Sequence, residues 1–245
     1  MFVRISFFIM LILLLMMNAN VALTGGYNIS KVLNPPEEYL AEKNKIEERY
    51  AFYAQDNWRL PFSTEKYIET EVSGKTKDRE GNSFETKSLY VVIKGEKHLI
   101  EKGYYDYGYV VWNSFGTQFV YQAIEEPPVD FPIGTVYVVM VDELNNTIEK
   151  KRIVENIGYS HFAWAKGSNK VAFADFEAVY VFDSDKEDLQ VIIGDWDASG
   201  KYEKGLGYPR LCDSFVWLNN DSELYFTYFK NFYIFDHEEY YKITF

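Results

Sequence analysis

A repeated tryptophan is the feature that most restricts how this chain can fold. Trp112, Trp164 and Trp217 are separated by 52 and 53 residues, and each ends a short apolar run. A second apolar run begins seven residues after each tryptophan, at 119–121, 171–173 and 224–226. A self-similar period of about 40 to 50 residues is typical of repeat architectures. The sequence therefore predicts one structural unit that occurs at least three times.

Each unit contains two further apolar runs, so it supplies four strands. The third run ends in an acidic residue, and the fourth closes the unit. The third runs are 137–142, 180–183 and 233–236, and the fourth runs are 152–154, 189–193 and 241–245. Four antiparallel strands form one blade of a β-propeller.

A weaker fourth copy precedes these three. Trp58 lies 54 residues before Trp112, and runs at 67–72, 89–93 and 98–100 follow it. The sequence thus predicts an all-β fold, a propeller-like array of about four four-stranded blades. The blades are expected at about 55–103, 104–155, 156–208 and 209–245.

Stacking is expected because single units cannot cover their own apolar surface. In Val179-Tyr180-Val181-Phe182 both faces of the strand are apolar, since side chains alternate across a strand. Such a sheet must lie between neighbours. The tryptophans are expected to fill the gaps between sheets.

Two of the repeats read FAWAKGSNKVAFADFEAVYVFD and FVWLNNDSELYFTYFKNFYIFD. They resemble the TolB-like and WD40-like propeller repeats of bacterial envelope proteins, which run from an aromatic residue through an S-P-D-G turn into an apolar strand and a strand that ends in Asp. The resemblance implies architecture more than activity. Here the turns read Ala165-Lys166-Gly167-Ser168 and Leu218-Asn219-Asn220-Asp221, and only about four units are present. A closed ring, an open stack and a ring completed by a second copy all remain open.

The N-terminus has the layout of a secretory signal. Arg4 precedes an apolar run at 7–17, which then meets Asn18 and Asn20. The run is too short to span a bilayer unless these asparagines enter with it. We expect a signal peptide over 1–22, a secreted or periplasmic protein, and no membrane insertion after cleavage. A retained N-terminal anchor is the alternative.

An N-terminal extension over 23–54 is expected to contain one helix. Pro35 and Pro36 are followed by Glu37 and Glu38, which is typical of a helix start. The helix is predicted to continue to about Tyr53 and to pack one face against the rest of the protein.

Composition narrows the range of partners. The net charge of −12 repels phosphate backbones, which argues against nucleic acid as a partner. With 47% hydrophobic and 18% aromatic residues the chain can bury a core. Cys212 is the one cysteine, so the fold is expected to rely on packing rather than on an intrachain disulfide.

No catalytic residues are predicted. His98, His161 and His237 are not within metal-ligand spacing of one another, and a structural role is expected for each. We therefore expect a non-enzymatic binding module that needs no cofactor.

One acidic segment resembles a calcium loop. Asp195, Asp197, Ser199 and Glu203 alternate around Gly200, but the twelfth position is Leu206 rather than a bidentate carboxylate. An ordinary acidic loop is the favoured interpretation. If calcium binds, these four residues are the predicted ligands.

The densest aromatic cluster is the predicted contact site. Tyr104, Tyr105, Asp106 and Tyr107 lead into a strand, so the tyrosines cannot all face inward. Outward tyrosines suit contact with a protein partner or with a sugar ring. A protein partner is the favoured hypothesis. The alternative is a carbohydrate-binding or carbohydrate-active protein that uses this cluster with acids such as Asp106, Glu125 or Glu126.

Overall fold

The structure is a computed structural model, and it describes residues 27–53, 62–78, 80–125, 127, 133–158, 161–175, 178–192, 211–231 and 236–245. In these residues it contains one α-helix and fifteen β-strands, and every strand pairing is antiparallel. The mainly β fold predicted from the short apolar runs is confirmed.

The strands form four sheets, which we number 1 to 4. Sheet 1 contains β2 (Lys66–Lys77), β3 (Ser83–Ile93) and β4 (Glu96–Tyr104). Sheet 2 contains β5 (Asp106–Trp112), β6 (Gln118–Ile124), β7 (Gly134–Asp142) and β8 (Thr147–Ile157). Sheet 3 contains β9 (Ala163–Trp164), β10 (Lys170–Ala174), β11 (Val179–Asp183) and β12 (Asp188–Ile192). Sheet 4 contains β13 (Leu211–Leu218), β14 (Glu223–Asn231), β15 (Asp236–Thr244) and, at its outer edge, β1 (Asn28–Val32).

The prediction for the end of sheet 4 is wrong. Runs 233–236 and 241–245 were expected to be its third and fourth strands, but β15 is one strand from Asp236 to Thr244, and 233–235 lie outside the described residues. Tyr241 and Ile243 are buried at alternate positions, as in a continuous strand. The fourth place is taken by β1, which pairs with β15 from Asn28 opposite Thr244 to Val32 opposite Tyr240.

The sheets stack face to face in chain order. In β11, Val179 and Val181 pack in a core shared with sheet 4, whereas Tyr180 and Phe182 pack in a core shared with sheet 2. The predicted two-sided apolar character of this strand is confirmed. A third core joins sheets 1 and 2.

The helix covers the face of sheet 4 that points away from sheet 3. Helix α1 (Glu37–Tyr53) begins after the two prolines, as predicted. Its Tyr39 is fully buried and packs with Val216, Leu218 and Tyr225. The helix is thus the outer layer on sheet 4.

The tryptophan repeat is also a repeat of contacts. Trp164 Nε1 donates to the Val111 carbonyl at 2.9 Å, and Trp217 Nε1 donates to the Ala163 carbonyl at 3.0 Å. Val111 and Ala163 each directly precede the tryptophan of the previous sheet. Trp112 Nε1 is buried without an acceptor in the described part of the chain, and Trp58 lies outside it.

The two ends of the stack differ. At one end the turns 113–117, 165–169 and 219–222 contact each other: Ser114 Oγ donates to the Lys166 carbonyl, and the Asp221 carboxylate accepts from the backbone N–H of Lys166 and of Gly167. We call this the turn end. The opposite end, where β5 begins at Asp106 and β6 ends at Ile124, is the loop end.

The signal-peptide prediction falls on 1–22, outside the described residues. The described helix is not long and apolar enough to cross a membrane.

Candidate functional site at the loop end

The predicted contact residues lie at the corner between sheets 1 and 2. Tyr104 ends β4, Tyr105 forms the corner and Asp106 begins β5. Tyr107 is fully buried, and its hydroxyl donates to the Lys87 carbonyl at 3.1 Å. Tyr107 is therefore a core residue, which leaves Tyr104, Tyr105 and Asp106 at the surface. We call these three residues the tyrosine surface.

Neighbouring side chains hold the tyrosine surface in place. Tyr105 is half-buried, and its ring lies edge-on to Phe84 with 5.7 Å between centroids. The Asp106 carboxylate accepts from Lys87 Nζ at 2.8 Å and from the backbone N–H of Tyr107 at 2.9 Å. Its charge is thus already neutralised within the protein.

Two further tyrosines support this surface from below. The Tyr104 hydroxyl is 3.4 Å from that of Tyr137, and the Tyr137 ring is stacked on Tyr121 at 5.4 Å. Tyr107 meets Tyr121 edge-on at 5.9 Å. Tyr121 and Tyr137, which are directly opposite each other on β6 and β7, were not among the residues predicted for this cluster. An alignment of these two strands on their tyrosines could have found them.

The phenols act as neutral groups. Burial raises the pKa of Tyr104, Tyr107 and Tyr121 well above the ordinary value, and Glu101 raises it further for all three. They are therefore protonated at neutral pH. Chemically, the cluster can stack and form hydrogen bonds, but it supplies no phenolate base.

The rim of the cluster is charged. Glu101 forms an ion pair with Lys150, whose ammonium lies 4.7 Å from the centroid of the Tyr137 ring. Glu125, one of the acids in the carbohydrate hypothesis, lies close enough to contribute to the raised pKa of Tyr104. Glu126 is outside the described residues.

A hairpin arm stands beside the tyrosine surface. Strands β2 and β3 have 12 and 11 residues, and residues 71–85, which we call the arm, form a largely exposed hairpin. The outer part of the arm extends past the end of β4, whose pairing with β3 reaches Lys87. At its tip the Asp78 carboxylate accepts from the backbone N–H of Glu80 and of Asn82, and the Asn82 side chain lowers its pKa. Phe84 on the arm is the residue that contacts Tyr105.

Polar pairs near the loop end join sheet 3 to sheet 4 and the helix to sheet 4. His161 is buried and forms a hydrogen bond to Asp213 through Nδ1. The Tyr39 hydroxyl is 2.7 Å from Thr227 Oγ1, and Lys43 forms an ion pair with Glu238 at 2.7 Å. These contacts fix the helix and sheet 3 relative to sheet 4.

The predicted calcium ligands Asp195, Asp197, Ser199 and Glu203 all lie outside the described residues, so that prediction remains open. In the part of the chain that the structure describes, no three His, Cys, Asp or Glu side chains are grouped to bind a metal ion.

Comparison with known proteins gives no match to a family model and no matching curated protein. The resemblance to TolB-like and WD40-like repeats therefore stays a prediction from the residues that carry it.

Proposed function

We propose that this chain is an exported, non-enzymatic binding module with a TolB-like, propeller-like architecture, and that its tyrosine surface contacts a protein partner. The observation that carries the proposal is the half-buried pair Tyr104 and Tyr105, held at a rigid corner between two sheets. Tyrosines offer a large contact area and a polar tip at a low entropic cost, which is why binding surfaces are rich in them.

Three features support a propeller-like array. The inner strand β9 lies beside β5 and β13, so neighbouring sheets meet along their first strands. The tryptophan bonds repeat from sheet to sheet. Strand β1 completes the sheet of β15, which joins the two ends of the described chain in one sheet.

The connection from the helix to sheet 1 favours a curved array. Only residues 54–61 join α1, which lies on sheet 4, to Phe62, the first described residue before β2 of sheet 1. Nine Cα-to-Cα steps span at most about 32 Å. In a straight stack sheets 1 and 4 would be about 30 Å apart, and the helix lies outside sheet 4. Curvature towards a ring shortens this path.

Binding is favoured over catalysis by the chemistry of the loop end. The phenols of Tyr104, Tyr107 and Tyr121 are neutral, because burial raises their pKa. Asp106 is paired with Lys87, Asp213 with His161, and Glu238 with Lys43. Paired groups of this kind organise a surface. The apolar run at 7–17 supports export, and a retained N-terminal anchor is the alternative.

Carbohydrate is the second candidate ligand. The favouring observation is the proximity of Glu125 and the hydroxyls of Tyr104 and Tyr137, because phenol rings stack on sugars and carboxylates accept from their hydroxyls.

Site-specific photo-cross-linking in the organism of origin tests the proposal. A photoreactive residue at Tyr105 is expected to give a discrete protein adduct, and Tyr104→Ala is expected to weaken it. The matched control is Phe115, an aromatic residue that is 52% exposed in the turn between β5 and β6 at the turn end. Equal adducts at both positions would refute a contact specific to the tyrosine surface. Strong glycan-array binding without any protein adduct would favour carbohydrate instead.

A further inference from the structure

A cleft opens between sheets 1 and 2 at the turn end. Its volume is about 220 Å³, and it lies between the turn that joins β3 to β4 and the turn that joins β7 to β8. Ile93, Val141 and Ile148 form its apolar part, which is continuous with the core of these two sheets. A space of this size holds one long side chain but is smaller than a typical small-molecule site.

The carboxylates that line the cleft differ in the ion pairs and hydrogen bonds that they form. Glu143 forms ion pairs with Lys66 and, at 3.4 Å, with Lys94. The Asp142 carboxylate accepts from the N–H groups of its own turn, at Leu144 and Asn145. Glu96 is exposed, and within the described residues it has neither an ion pair nor a hydrogen bond from its side chain.

The charge balance selects the kind of ligand. Three carboxylates line the cleft, at Glu96, Asp142 and Glu143, against two ammonium groups, that of Lys94 and that of Lys66, which pairs with Glu143. The whole chain carries a net charge of −12. Both the local and the total charge therefore attract cations and repel anions.

We propose that this cleft binds an arginine or lysine side chain of a protein partner. The aliphatic stem packs against Ile93, Val141 and Ile148, and the cationic head reaches Glu96 at the rim. Long cationic side chains combine an apolar stem with a charged tip in this way. The proposal rests on the proposed function only in that the partner is a protein, because the cleft lies at the opposite end from the tyrosine surface.

Methyl NMR on the full chain tests the cleft directly. The probe is N-acetyl-arginine methylamide, and the matched ligand is the citrulline analogue, which has nearly the same shape without the charge. We expect saturable shifts of the methyl signals of Ile93, Val141 and Ile148 with the arginine probe, and several-fold weaker binding with the citrulline probe. Glu96→Gln should weaken arginine binding several-fold. Glu80→Gln, an exposed change at the tip of the arm, should leave it unchanged.

Two results would overturn the proposal: equal shifts with both probes, or no shifts of the three methyl groups at any concentration. Both substitutions are at exposed positions, so the variants are expected to fold. The amino-acid probe does not involve the tyrosine surface. If this test fails and Tyr105 still gives a cross-link, the proposal for the cleft is refuted and the proposed binding module is retained.

Discussion

Sheets 3 and 1, which the sequence predicts to be copies of one unit, are covered in different ways. Sheet 3 has strands of only two to five residues, and both of its faces are core: Val171 and Phe173 pack towards sheet 2, whereas Ala172 and Val181 pack towards sheet 4. Sheet 1 has strands of 9 to 12 residues.

Only one face of sheet 1 packs on another sheet in the described part of the chain. Leu89 and Val91 face sheet 2. The opposite face carries Lys97, which forms ion pairs with Glu69 and Glu71. Short strands are thus stable where neighbours cover both faces, and long strands extend into solvent where a sheet ends the series. The arm, the tyrosine surface and the cleft all belong to sheet 1 or to its border with sheet 2.

The largest effect is expected where a tryptophan bridges two sheets. Trp164→Ala removes a half-buried ring and the hydrogen bond to the Val111 carbonyl. It should lower the free energy of unfolding by about 3 to 5 kcal/mol. We expect a value near the lower limit, because the ring is not fully buried. Denaturant unfolding followed by tryptophan fluorescence measures the change. Trp164→Phe keeps an aromatic ring and should lose only about 1 kcal/mol through the missing bond. A loss below 1 kcal/mol for Trp164→Ala would contradict the role of the tryptophan repeat.

A smaller loss is expected from a methyl group at Gly134. A Cβ at this position would overlap the backbone carbonyl of Ala123, which cannot move away without breaking the pairing of β6 with β7. Gly134→Ala should therefore cost about 1 to 3 kcal/mol. The matched control is Gly81→Ala at the tip of the arm, where φ is +91° but nothing lies within 4 Å of the added atom. Thermal unfolding should show a larger fall in Tm for Gly134→Ala. The reverse order would mean that the strain of alanine at φ +91° costs more than the overlap at Gly134, and it would contradict the close packing inferred there.

The sequence predicts the middle of the molecule better than its ends. The position of Trp164 was predicted from the fixed spacing of the tryptophans, and the burial of strand 179–183 was predicted from its two apolar faces. Each of these local patterns is compatible with few other structures. The last sheet was predicted less well, since its outer strand β1 is more than 200 residues from its partner β15 and has no apolar alternation of its own. No local sequence pattern predicts that β1 pairs with β15.

The site was predicted in part for a similar reason. The cluster at Tyr104 to Tyr107 is local in sequence and was found, whereas Tyr121 and Tyr137 join it through strand register. The cleft depends on two turns that approach across sheets, which sequence spacing does not show.

An intermediate effect with a defined pH dependence is expected at the border of sheets 1 and 2. Lys66 holds the pKa of Glu143 below its ordinary value of 4.5. A depressed pKa means that the ion pair contributes stability above that value and loses it as the pH falls through the pKa of the folded state. Glu143→Gln should cost about 1 kcal/mol at pH 7, because the Glu143 side of the pair is 35% exposed although Lys66 is buried. The difference from wild type, measured by denaturant unfolding, should shrink as the pH falls below about 4.5. A difference that stays constant down to pH 3 would show that the carboxylate acts through packing and not through its charge.

The smallest effect on stability is expected for a substitution at Val72 on the arm, and the same substitution at a buried valine of sheet 2 serves as the comparison. Val72 on the arm is 61% exposed, and Val138 in β7 is 1% exposed in the core between sheets 2 and 3. Threonine has nearly the shape of valine and keeps the preference for a strand, so each change mainly replaces a methyl group by a hydroxyl. Val72→Thr should shift the free energy of unfolding by no more than about 0.5 kcal/mol, whereas Val138→Thr should cost about 1 to 3 kcal/mol because a buried hydroxyl lacks water. If Val72→Thr were as costly as Val138→Thr in denaturant unfolding, the arm would be packed against another part of the protein. It would then not be free to meet a partner beside the tyrosine surface.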